Sequence, residues 1–181
     1  MIIAATTLAT TVALGAGLVV APDARAETAD LSSTFKAQGR PMEVGEGRIY
    51  WRGIYWGGSF NNEGRGFGHR ALWRCPAVSE IANGAVSGKG YCVMTEPDGD
   101  QVFGSFDGEG KEGGLFEGMQ QFTGGTGKYE GITGGHSFQC EVVSAAPRDA
   151  SLVELSCIQE VEYTLPGERG PRAGKPQGGS S

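Results

Sequence analysis

The side chains with which this chain could do chemistry are few: four cysteines, two histidines and three tryptophans in 181 residues. With only His69 and His136, a histidine-rich zinc site is excluded, and the cysteines are better explained as bridges than as metal ligands. Cys75 stands eight residues before Asn83, and Cys92 stands eight after Gly84. Asn-Gly is the strongest short-range signal for a two-residue type I′ hairpin, so the two cysteines should face each other across it. Cys140 and Cys157 repeat this spacing about Arg148-Asp149, inside the turn-like run from Ala146 to Asp149. Four cysteines allow three connectivities, and the two centred turns select Cys75 with Cys92 and Cys140 with Cys157. Pro76 cannot donate to a ladder, and a bulge there would move the first register by one residue.

Acid-base chemistry falls to His69, the single candidate for a catalytic role. Alternation from Phe67 through His69, Ala71 and Trp73 to Cys75 predicts one strand face, where burial would move the imidazole pKa. The same face suits a packed core histidine. Trp51, Trp56 and Trp73 pose the same choice: with His69 they line a cavity for a flat apolar ligand, or they are core. Other patterns fail on context. Gly108-x-Gly110-x-x-Gly113 matches a dinucleotide fingerprint but has no helix after it to receive a pyrophosphate. Gly125-Thr126-Gly127-Lys128-Tyr129 places Tyr129 where a phosphate loop needs Ser or Thr. The acids Asp98, Asp100, Asp107, Glu109 and Glu112 do not follow EF-hand spacing. No cofactor and no metal are expected.

The elements that must position these residues are strands. Glycine supplies 32 of the 181 residues, against a usual ~7%, and it comes with aromatics, which suggests tightly turned β structure. Apolar side chains from Ile49 to Phe60 fall on both parities. Val86–Thr95, Gln101–Asp107, Leu115–Thr123 and Ser151–Leu165 read as further strands, Gly108–Gly114 as an acidic loop, and Gly124–Phe138 as a tight turn feeding a long strand. We expect a signal peptide over 1–26, a polar N-terminal arm over 27–46, one β-barrel domain over 47–165 and a Gly/Pro-rich tail over 166–181. The apolar run Leu8 to Ala21 is shorter than the ~20 residues of a membrane span, and Ala24-Arg25-Ala26 is an Ala-x-Ala cleavage site. A periplasmic or secreted location follows, where both bridges would persist. The formal charge of −6 argues against a nucleic-acid partner.

The run Gly125 to Gly134, preceded by Phe116, Gly118 and Phe122, resembles a hairpin of the allene oxide cyclase and dirigent-like barrel superfamily. The resemblance implies an all-β fold, a small antiparallel barrel of about eight strands of the calycin-like kind. It also implies an interior that binds a hydrophobic small molecule and, in several members, guides its cyclisation or coupling. No catalytic residue of that family can be placed here. Three functions are therefore carried forward: a binder of a small apolar or aromatic ligand in the barrel interior, a cofactor-independent cyclase or isomerase, and an envelope protein-interaction module or inhibitor. Cavity volume separates the first from the third, and an isolated polar group in the cavity favours the second.

Overall fold

The computed structural model describes residues 25–145 and 152–166. The signal segment up to residue 24, the Arg148-Asp149 turn and the tail beyond Pro166 lie outside the described residues. Eight strands form a closed barrel in which each pairs antiparallel with the next and the last returns to the first. They are β1 (Arg25–Gly45), β2 (Arg48–Asn61), β3 (Ala71–Ala82), β4 (Ala85–Thr95), β5 (Gln101–Lys111), β6 (Leu115–Gly125), β7 (Thr133–Ala145) and β8 (Leu152–Leu165). A single 3-10 turn, Gly127–Tyr129, interrupts the all-β plan.

Pleating sends alternate side chains inward. Along β3 the burial alternates from Ala71 to Ser79, with Trp73, Cys75 and Ala77 inside and Leu72, Arg74 and Pro76 outside. The Asn83-Gly84 turn, with φ of 52° and 78°, pairs Ala82 with Ala85 and so changes the inward parity from odd to even. Cys92 and Met94 then join Cys75 and Trp73 in the core. Many inward positions from β4 to β7 are glycines because aromatic rings lie over them. A Cβ on Gly108 would stand 2.9 Å from the Phe116 ring and 3.0 Å from that of Phe138.

Both disulfides form as the spacing predicts, each with its Cα atoms 4.1 Å apart. Pro76 does not shift the first register: Arg74 faces Val93 and Ala77 faces Gly90, on either side of it, in one continuous count. The second hairpin keeps the predicted register as far as Val142 and Leu155, then slips by one before Ser144. The bridges join β3 to β4 and β7 to β8, which places them on opposite walls of the barrel. Both fit an oxidising compartment.

Three expectations are corrected. Residues 27–46 are no arm, since nearly all belong to β1, which pairs with β2 and β8. Its inward positions Ala29, Leu31, Phe35 and Ala37 alternate properly, but Ser33 hides the pattern because its hydroxyl is satisfied inside by Gln159. The strand expected from Phe67 begins only at Ala71. Gly64, Gly66, Gly68 and Arg70 all take positive φ and curl residues 62–70 into a compact loop. Finally, β5 runs on to Lys111, so the acidic loop shrinks to a short turn before Leu115.

Candidate functional site

Inside the barrel is a cavity of about 60 Å³, walled mainly by Phe35, Tyr55, Trp73, Phe106, Phe138 and both disulfides. Besides the Tyr55 phenol, three polar side chains enter it: Gln120 on β6 and His136 on β7, which are direct cross-strand partners, and Gln159 on β8. Each is 2% exposed. His136 Nδ1 lies 3.1 Å from the Ser137 carbonyl. A carbonyl only accepts, so Nδ1 carries the proton. Burial lowers the His136 pKa to about 4, opposed by that backbone hydrogen bond. The ring is therefore neutral at pH 7, and Nε2 presents a bare lone pair. Neither Nε2 of His136 nor the amide nitrogen Nε2 of Gln120 has a hydrogen-bond partner. An unpaired acceptor and an unpaired donor thus sit side by side against an apolar lining. On β8, the next strand after β7, Gln159 is already engaged by Ser33, and burial raises the Tyr55 phenol above its ordinary range while a hydrogen bond with Ser79 opposes this.

His136 is held by aromatic edges. Its ring centroid lies 5.8 Å from that of Trp73 and 6.3 Å from that of Phe138. Trp73 in turn donates from Nε1 to Ser59 Oγ at 2.8 Å, and Ser59 donates to the Gly68 carbonyl at 2.7 Å. That chain ties the cavity wall to the loop over one end of the barrel. There Phe67 packs on Phe122, Tyr129 and Tyr163. Glu96 Oε1 accepts from the Gly68 backbone N–H at 2.7 Å and from the Tyr129 hydroxyl at 2.9 Å. Burial and the Glu96 charge push the Tyr129 pKa far up, so the phenol stays a donor. The Gly125–Tyr129 motif is thereby explained as a seal: Gly127 at φ 55° passes against Asp100, and Tyr129 reaches under the loop.

Of the tryptophans and histidine expected to share a ligand site, only Trp73 reaches the cavity. Trp51 is buried below it, in a separate cluster with Ala37 and Ala77, its ring 5.3 Å from that of Tyr55. Trp56 faces outward, 45% exposed, with the Lys36 ammonium 5.8 Å from its ring. The two parities of β2 both carry aromatics, and only the odd one points in. His69 lies in the 62–70 loop and meets the outward-facing Phe60, ring centroids 5.9 Å apart, because the positive-φ residues around it break the alternation that would have put it beside Trp73. The histidine that matters was legible through Cys140, which shares its parity: a bridged, inward Cys140 places Phe138 and His136 inward too. Gln120 follows likewise from Phe116 and Phe122.

Among the described residues no three metal-ligating side chains converge. Comparison of the chain with protein-family models, with curated proteins and with solved structures finds no match.

Proposed function

We propose that this protein is an exported, periplasmic or secreted barrel that binds one compact small molecule in its interior, an apolar body bearing a hydroxyl or amide group. The observation that carries the reading is the unpaired pair inside an apolar cavity, His136 Nε2 as acceptor and the Gln120 amide as donor. Leaving such groups unsatisfied costs about 1–3 kcal/mol each, and a ligand hydroxyl that donates to one and accepts from the other recovers that cost. Size then limits the class. The cavity of about 60 Å³ is well below the ~150 Å³ that admits benzene and the ~300–1,000 Å³ of drug-sized sites. A short-chain alcohol or amide suits it, and a large flat aromatic does not. The cyclase or isomerase reading rests on the same lone pair acting as a base. A base with a pKa of about 4 is weak at neutral pH, so hydrogen-bond acceptance is the better-supported role.

Ligand-observed NMR with a panel of short-chain alcohols and amides tests this on the oxidised protein. At least one member should bind, and His136→Leu and Gln120→Leu should each weaken it about tenfold, the value of one good hydrogen bond. If the wild type binds none of them, the cavity holds water alone and the reading falls.

A further inference from the structure

The outer wall carries a separation of charge independent of the interior. On β1 to β4 the outward charged side chains are Lys36, Arg40, Arg48, Arg52, Arg74 and Lys89, against Asp30 and Glu80, with Glu43 also exposed near the end of β1. On β5 to β8 they are Asp107, Glu109, Glu117, Glu141, Glu154, Glu160 and Glu162, against only Lys111. In a closed barrel of eight strands taken in order, these two sets of four occupy opposite walls.

Each wall retains unfavourable pairs. Arg40 lies directly across from Arg52 in the β1–β2 register, and Glu109 directly across from Glu117 in the β5–β6 register. Like charges in that position destabilise a sheet. Only Lys36 with Glu154 and Arg48 with Glu80 relieve these walls through ion pairs among the described residues. Apolar groups accompany the charge. Leu72 is 66% and Tyr91 69% exposed on the basic side, with Trp56 exposed on the neighbouring β2, and Met119 and Ile158 are exposed on the acidic side. Tyr91 lies between the row of Arg40, Arg52 and Lys89 and the row of Lys36, Trp56 and Arg74.

We infer that the occupant of the basic wall is the acidic wall of a second copy of this chain. A polyanion would neutralise Arg40 and Arg52 but would leave Glu109 and Glu117 opposed. A second copy relieves both repulsions in one contact and covers Trp56, Leu72 and Tyr91 with the apolar groups of the other wall. Because the two walls face away from each other, the contact is head-to-tail. It builds an open chain or a ring and leaves no isologous dimer.

Sedimentation of the oxidised full chain tests this. At low ionic strength the wild type should sediment as two protomers or more, and it should fall to one at about 1 M salt, where the Debye length is about 3 Å. The double variants Arg52→Glu with Arg74→Glu, and Glu109→Lys with Glu117→Lys, should each be monomeric at low salt with unchanged circular dichroism. Mixed together they should associate again, because the native acidic wall of one meets the native basic wall of the other. A wild type that stays monomeric at low salt overturns the inference, and so does association that survives both reversals. Retention of a monomeric wild type on heparin or on anionic vesicles would assign the basic wall to a polyanion and overturn it equally.

Discussion

The two ends of the barrel are built on different principles. At one end the 62–70 loop, the turn at residues 96–100 and the Gly127–Tyr129 segment are bolted together by buried polar side chains. Glu96 holds Gly68 and Tyr129, Asn61 donates to the Phe67 carbonyl, and Ser59 holds Gly68. At the other end the Asn83-Gly84 turn and its neighbours are linked through the backbone, from Asn83 N–H to the Gly47 carbonyl and from Glu112 N–H to the Gly84 carbonyl, with the exposed Arg48–Glu80 ion pair beside them. Residues 40–48 are exposed there on both faces. The core is closed at that end from within, by Trp51 lying across Gly39 and Gly53. Sealing through side chains fixes long loops in one arrangement. Sealing through tight turns needs only short connections, and tolerates change in them.

Removing the central bolt should give the largest effect. Glu96→Ala leaves the Gly68 N–H and the Tyr129 hydroxyl buried without an acceptor, which costs about 1–3 kcal/mol for each. Urea denaturation should show a loss of roughly 3 kcal/mol or more. A loss below about 1 kcal/mol would mean that water replaces the carboxylate, and that this end is as loose as the other.

Between the ends, His136 sets a pH dependence. Its folded pKa of about 4 lies below the 6.5 of an unperturbed histidine. From pH 6.5 down to about 4 the unfolded chain binds a proton that the folded one refuses, so stability falls as pH is lowered through that window. The loss attributable to this residue approaches about 3 kcal/mol and is absent above pH 6.5. Unfolding free energies measured across the window for wild type and His136→Leu should diverge by that amount at neutral pH relative to pH 4. Parallel curves would show that the imidazole is not buried as a neutral ring.

The smallest effect compares the ends position by position. Gly127 and Gly84 both have positive φ, 55° and 78°, but an added Cβ meets Asp100 at Gly127 and nothing within 4 Å at Gly84. Gly84→Ala should therefore cost only the left-handed backbone penalty of about 1–2 kcal/mol, and Gly127→Ala measurably more. Equal losses in thermal melts would erase the distinction between a side-chain seal and a bare turn.

Legibility from sequence followed the same division. Where backbone turns govern, as at Asn83-Gly84, a dipeptide carried the register far enough to pair Cys75 with Cys92 across the barrel wall. Where buried polar groups govern, sequence was silent. Ser33 sat in a stretch read as a polar arm because its partner Gln159 is 126 residues away. Gly68, within the 62–70 loop, read as a strand residue because nothing local announces that Glu96 will anchor it. His69 was chosen over His136 for the same reason: alternation with tryptophan looked decisive, and the positive φ of Arg70 was invisible. The Gln120 and His136 pair needed the parity of Cys140 extended across two strands, a step that hairpin spacing alone supports.

The seam between β1 and β8 joins the chain's earliest described strand to its latest, with Arg25 opposite Leu165. Neither disulfide crosses it. In a chain delivered from its N-terminus, β1 can pair with β2 at once, but its other edge waits bare until β8 arrives. Such an edge is a template for a foreign strand, and the wait lengthens with the sequence separation that slows closure. The order of arrival thus leaves the β1 edge open longest, and Lys36 and Arg40 are the exposed charges it carries meanwhile.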